Sequence, residues 1–81
     1  MLDVQVSGTI RDAVGGVASI EIEAATIREL MQKLVDRYPA MQDKIDEGVA
    51  VSMNGDIFRD RWSERIPVGA EVFLMPRIAG G

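Results

Sequence analysis

The chain has 81 residues, 47% of them hydrophobic and 27% charged, a net charge of −4, and neither cysteine nor histidine. That length allows one domain and one core, with roughly 60–65% of the unfolded chain's surface buried, and it leaves no room for a deep cleft lined by many catalytic groups. The missing residue types exclude the usual zinc sites, cysteine nucleophiles, disulfides and Ser-His-Asp triads, and the acidic balance argues against a nucleic-acid partner, whose phosphates require a basic footprint.

No apolar run approaches the ~20 residues that span a bilayer. Met1-Leu2-Asp3-Val4 carries an acid and alternates in polarity, so it does not read as a signal peptide. A cytoplasmic protein without a membrane partner is expected.

In chain order, Leu2, Val4 and Val6 alternate with polar residues, the period of a half-buried strand. Residues 8–16 contain three glycines and read as a turn or loop. Ala18, Ile20 and Ile22 repeat the alternation and give a second strand, close enough to the first to form a hairpin. Thr26 and Glu29 have capping-box spacing. From there Ile27, Leu30, Met31, Leu34, Val35 and Tyr38 form one apolar helical stripe, which Pro39 ends. Met41 and Ile45 suggest a further short turn before Gly48, with only a weak helical pattern over 42–47. Residues 49–53 read as a third strand, Asn54-Gly55 as a hairpin turn, and Ile57 and Phe58 as the returning strand. Residues 59–68 are irregular, with Trp62 and Ile66 as anchors, and a last strand over 71–75 is closed by Pro76.

One helix must cover one face of a mixed sheet to bury both apolar surfaces. The expectation is an α+β fold of β-grasp (ubiquitin-like) type, a mixed sheet packed on one main helix. It would occupy residues 1–76, followed by a flexible Gly-Gly tail over 77–81. A ferredoxin-like fold would need a second full helix.

The tail carries the chemical interest. At ordinary glycine usage a Gly-Gly ending arises by chance about once in 200 sequences. Terminal fraying is the ordinary reading of such an end. Here, however, the pair ends a five-residue tail that leaves the last strand directly. Extended from Arg77, the five residues reach about 16–18 Å. Gly80 and Gly81 lack a Cβ and so can thread a narrow channel in a partner enzyme. The carboxylate at the tip is a poor electrophile until it carries a leaving group. An adenylyl group would supply one, and a sulfur nucleophile would displace it. In the last strand, Val72 and Leu74 share one parity, and Phe73 and Met75 the other. If the first pair faces the core, the second forms an outward docking patch beside the tail, unless a loop such as the one bearing Trp62 covers it. The carboxylates Asp43, Asp46 and Glu47 and the pair Asp56 and Asp60 read as solvated surface rather than a metal or acid–base site, and the arginines Arg11, Arg59, Arg61, Arg65 and Arg77 as solvated surface, the alternative being contact with an acidic partner or phosphates.

The 34–39 helix ending (Leu-Val-Asp-Arg-Tyr-Pro), the hairpin Val51-Ser52-Met53-Asn54-Gly55 and above all the terminus Phe73-Leu74-Met75-Pro76-Arg77-Ile78-Ala79-Gly80-Gly81 resemble the MoaD/ThiS-type sulfur carriers, nearest the molybdopterin-synthase small-subunit branch. The chain departs from that family in three places. The turn before the last strand, Val68-Gly69-Ala70-Glu71, lacks an acidic pair, Arg77 stands where proline is common, and residues 9–12 are shorter than the helix many members carry. The resemblance implies a ubiquitin-like fold and no catalysis by the chain alone. Gly81 would be adenylated and converted to a thiocarboxylate, and Gly80 would thread the channel. Phe73, Met75, Arg77, Ile78 and Ala79 would contact the partner. The implied partners are an E1-like adenylyltransferase of MoeB/ThiF type, which uses the ATP, and a sulfurtransferase or cysteine desulfurase. The sulfur acceptor would be the molybdopterin synthase large subunit, thiazole synthase or another enzyme. The resemblance implies no bound cofactor. A ubiquitin-like modifier that joins the same glycine to a lysine amine and a plain interaction module whose tail is inert are the rivals.

Overall fold

A computed structural model describes residues 2–59 and 61–77. The elements are β1 (Leu2–Val6), α1 (Ile10–Ala13), β2 (Ser19–Ile22), α2 (Ile27–Arg37), α3 (Met41–Glu47), β3 (Val49–Met53), β4 (Asp56–Phe58) and β5 (Glu71–Pro76). They build a mixed five-stranded sheet in the order β2-β1-β5-β3-β4. β1 and β5 run parallel at its centre, and every other pairing is antiparallel. This is the expected β-grasp.

Register explains the core. Met53, Val72, Val4 and Ile20 stand in one cross-strand row, and Phe58, Val51, Leu74 and Val6 in the next. Both rows face α2, whose Ile27, Leu30, Met31 and Leu34 are buried against them in one core cluster. Val4, Leu30, Leu34, Val72 and Leu74 are fully buried.

The start of α2 is satisfied from two sides. Thr26 Oγ1 accepts from the Glu29 N–H at 3.2 Å, as the capping box requires. The Glu29 carboxylate reaches back one residue further than the motif predicts, to the Ala25 N–H at 2.6 Å. The remaining first-turn donors find tertiary partners. The Ile27 N–H donates to the Glu64 carbonyl and the Arg28 N–H to the Trp62 carbonyl. The irregular 59–68 segment thereby supplies acceptors that a helix N-terminus cannot find within itself. At the other end Tyr38 leaves helical geometry ahead of Pro39.

Two segments differ from the sequence reading. The glycine-rich stretch 8–16 holds the one-turn helix α1, because Ile10, Ala13 and Val14 fall at i, i+3 and i+4 and are all buried. Four residues are too few for periodicity to stand out between glycines. The turn around Met41 and Ile45 is a seven-residue helix, with Met41 fully buried at its start.

Edge strand β2 is closed off by the polar side of α2. Lys33 Nζ donates to the Glu23 carbonyl at 2.6 Å, and Arg37 Nη1 to the Glu21 carbonyl at 3.0 Å. These contacts occupy outward acceptors that would otherwise template a foreign strand. On the opposite sheet face, Glu21, Asp3 and Glu71 stand directly abreast on β2, β1 and β5. Like charges placed opposite each other are destabilising.

Two stability predictions follow from these contacts. Thr26→Ala should lower unfolding free energy by about 1 kcal/mol in urea denaturation. Asp3→Lys should raise it by roughly 0.2–1 kcal/mol at low salt, with the gain shrinking as salt is added.

Candidate functional site

The residues expected to do chemistry lie at and beyond the end of β5. Ile78, Ala79, Gly80 and Gly81 fall outside the described residues, as does Asp60. The root of the tail is described. Pro76 pairs with Val49, and the Arg77 N–H donates to the Gly48 carbonyl at 3.1 Å. Sheet-like hydrogen bonding thus runs one residue past the strand. Gly48 itself ends α3, where its N–H donates to the Lys44 and Ile45 carbonyls.

Strand β5 alternates as its parity predicts. Val72 and Leu74 are fully buried, Phe73 is 42% exposed and Met75 half-buried. Phe73 belongs to a row on the open sheet face that runs Ile57, Ser52, Phe73, Gln5, Ser19 across all five strands, and Met75 stands beside Ala50. Ser52 and Ala50 are buried although they are on this face, each being a small side chain abreast of a large neighbour. A shallow depression of about 380 Å³ adjoins Phe73 and is lined also by Asp3, Gln5 and Glu71.

The alternative that the Trp62 loop covers Phe73 does not hold. Trp62 is on the helix side, where it packs against the core and lines a groove of about 220 Å³ with Met31, Val35 and Ile45. Its loop is held there by the carbonyl that caps α2. Ile57, 59% exposed, extends the apolar row and was not singled out from the sequence, because nothing in a three-residue strand tells which of its faces is open.

The other charged residues form local contacts. Gln42 Nε2 donates to Asp46 Oδ1, Lys44 pairs with Glu47 at 4.0 Å and Arg61 with Glu64 at 3.9 Å. Arg11 Nη2 donates to the Gly16 carbonyl. Arg59 and Arg65 are exposed. Among the described residues no cluster of His, Cys, Asp or Glu is arranged to hold a metal, and no helix is long and apolar enough to cross a membrane. What the geometry offers is an open, partly apolar sheet face and a tail root tied to the sheet's central strand.

Substitutions on neighbouring β5 positions should separate core from surface. Leu74→Ala is expected to cost about 2–5 kcal/mol by denaturant unfolding. Phe73→Ala should cost much less, because its side chain lies on the open face.

Comparison with known proteins agrees with this architecture. A chain of the Amycolatopsis orientalis BexX/CysO complex superposes with a TM-score of 0.79 at 21% identity, over 100% of both chains. A candidate molybdopterin converting factor, subunit 1, from Pyrococcus furiosus gives 0.78 at 24% identity, over 95% of this chain and 97% of that one. The small archaeal modifier protein 1 of Methanosarcina acetivorans gives 0.74 at 20% identity, over 99% and 95%. At such identities these likenesses speak for the fold. A search of curated protein sequences gave no match. The sequence model of the ThiS family matches residues 4–81, nearly the whole length. On that match and on this fold, the chain belongs to the ThiS family of ubiquitin-like β-grasp proteins.

Proposed function

We propose that the protein is a sulfur carrier whose terminal Gly81 is adenylated and converted to a thiocarboxylate, serving molybdopterin biosynthesis as the small subunit of molybdopterin synthase. The observation that carries the sulfur-carrier reading is the ThiS-family match, which begins at Val4 in the first strand and runs through Gly81; the likeness to a candidate molybdopterin converting factor, subunit 1, supports the choice of branch.

The chemistry is substrate-like. An E1-like adenylyltransferase of MoeB/ThiF type transfers AMP from ATP to the Gly81 carboxylate and releases pyrophosphate. AMP is a good leaving group where carboxylate oxygen is not. Sulfide displaces AMP at the acyl carbon to give the thiocarboxylate. A persulfide on a sulfurtransferase or cysteine desulfurase gives an acyl disulfide instead, which a second thiol cleaves to the same product. The chain's own part is to present the tip and dock. Phe73, Met75 and Ile57 supply apolar contact on the open face, with Arg77, Ile78 and Ala79 leading to the tip. Gly80 passes a narrow channel because it has no Cβ. No cofactor is held, and ATP belongs to the activating partner. The compartment is the cytoplasm.

A second reading is favoured by the likeness to a small archaeal modifier protein. In that reading a lysine amine, rather than sulfur, displaces AMP and leaves an isopeptide bond. The activating step is shared, and the nucleophile alone differs. A carrier for thiazole synthase or another acceptor uses the same steps as the first reading up to the thiocarboxylate.

The test uses the chain ending in Gly81 and a variant lacking Gly80-Gly81. The thiocarboxylated chain is mixed with a molybdopterin synthase large subunit and cyclic pyranopterin monophosphate, or with thiazole synthase and its substrates. Sulfur delivery to the pterin is expected, with none from the deletion variant, whose melting temperature should match the parent because a terminal pair adds little to the core. Delivery only to the thiazole would contradict the molybdopterin assignment. Lysine conjugates formed in place of the thiocarboxylate would contradict the carrier.

A further inference from the structure

Six glycines among the described residues have positive φ. At four of them, Gly15, Gly16, Gly55 and Gly69, an added Cβ would meet no atom within 4 Å, so glycine serves the local turn alone. The other two flank the chain's exit from β5. At Gly8 (φ +62°) a Cβ would lie 3.1 Å from Pro76 Cγ and 3.2 Å from Pro76 Cδ. At Gly48 (φ +118°) it would lie 3.4 Å from Arg77 Cβ and Cδ.

The two contacts differ in kind. The Pro76 ring is built into the backbone and cannot swing aside, so a side chain at Gly8 requires the ring and the strand end that carries it to give by a few tenths of an ångström. A methyl group at Gly48 would just touch Arg77. What glycine supplies there is a backbone conformation closed to other residues, from which its carbonyl accepts the Arg77 N–H.

We propose that Gly8 and Gly48 form a two-sided seat that fixes where the tail begins, with Gly8 a positioning residue for the chemistry at Gly81; the functional half of this inference rests on the carrier reading above. Proline has no N–H to give to either neighbouring strand, so a strand ending in Pro76 invites fraying. The ring's fit against Gly8 and the Arg77–Gly48 hydrogen bond take the place of the missing donor. Four residues then separate the last tied position from the tip, a reach of about 13–14 Å. Release of Pro76 and Arg77 would add about 7 Å of slack. The acyl carbon would then search a larger volume around the same docked domain. Gly8 belongs to the β1–α1 connection, outside the cross-strand row that contains Phe73, so docking and tip placement can be separated.

The experiment is a double-mutant cycle in the full chain ending at Gly81. Gly8→Asn adds a Cβ while keeping the left-handed backbone that asparagine tolerates. It is made in the parent and in Pro76→Ala, which lacks the Cγ and Cδ atoms that the new Cβ would strike. Gly15→Asn is the control, since it has a similar backbone (φ +74°) and open space around its Cβ. Gly8→Asp, which also tolerates the left-handed backbone, replaces Gly8→Asn if the latter melts too low to assay. Two quantities are read: amide hydrogen exchange at Arg77, and the steady-state kinetics of ATP-dependent thiocarboxylation by an E1-like adenylating enzyme with sulfide as the sulfur source.

In the parent background Gly8→Asn should speed Arg77 exchange and lower kcat about tenfold, within the range that sub-ångström to ångström misplacement produces, while KM for the carrier stays nearly constant. In the Pro76→Ala background the same change should have little further effect. Gly15→Asn should alter neither quantity. Equal effects of Gly8→Asn in both backgrounds, or effects no larger than those of Gly15→Asn, would overturn the seat. If the parent chain is not thiocarboxylated at all, the carrier reading falls, and Arg77 exchange alone then decides whether the seat exists.

Discussion

The parallel pairing of β1 with β5 is the constraint on which the rest depends. Val4 stands against Val72 and Val6 against Leu74, so the first described strand is paired with the last described one. β5 fits between β1 and β3 and so completes the sheet. Its inward side chains, Val72 and Leu74, are among the most deeply buried. A one-residue slip would turn Phe73 and Met75 inward and Val72 and Leu74 outward, losing the core and the open face together. Strand β5 is therefore anchored among the most deeply buried side chains of the described residues.

That arrangement suits a protein whose chemistry is done on it rather than by it. In the proposed reading the domain offers a partner an open face and a tethered end, and the partner would bring ATP, the sulfur donor and the catalytic groups. In the proposed mechanism binding energy comes from the sheet face, and reactivity from a leaving group placed on the tip. Carrier and modifier readings share both elements. They part only at the nucleophile that meets the adenylate, which is a property of the partner and not of this fold.

Much of the architecture was legible in the sequence. The alternations at Leu2–Val6 and at 71–75, the Thr26–Glu29 cap, the Ile27–Tyr38 stripe and the Asn54-Gly55 turn each report a local rule that the fold obeys. Asn54 and Gly55 adopt the positive φ their types tolerate, and the Asn54 side chain also accepts from the Glu71 N–H at the start of β5. What was hidden is non-local. α1 is too short for a period, the acceptors for the first turn of α2 come from Glu64 and Trp62, and the open side of β4 depends on register with β3. At the candidate site, parity on β5 separated Phe73 from Leu74, but the place of Trp62 depended on tertiary hydrogen bonds. Gly8 and Gly48 were legible as turn glycines only. Their approach to Pro76 and Arg77 exists only once the sheet has formed.

The central claim, that Gly81 carries the sulfur, is tested most directly by the intact mass of the chain with a native, untagged C-terminus at Gly81. The chain is incubated with ATP, an E1-like adenylating enzyme and a sulfur donor. The account predicts a mass gain equal to the exchange of one oxygen for sulfur, located to Gly81 by fragmentation and absent when Gly81 is deleted. An unchanged mass with adenylating enzymes that thiocarboxylate their own carriers under the same conditions would contradict it.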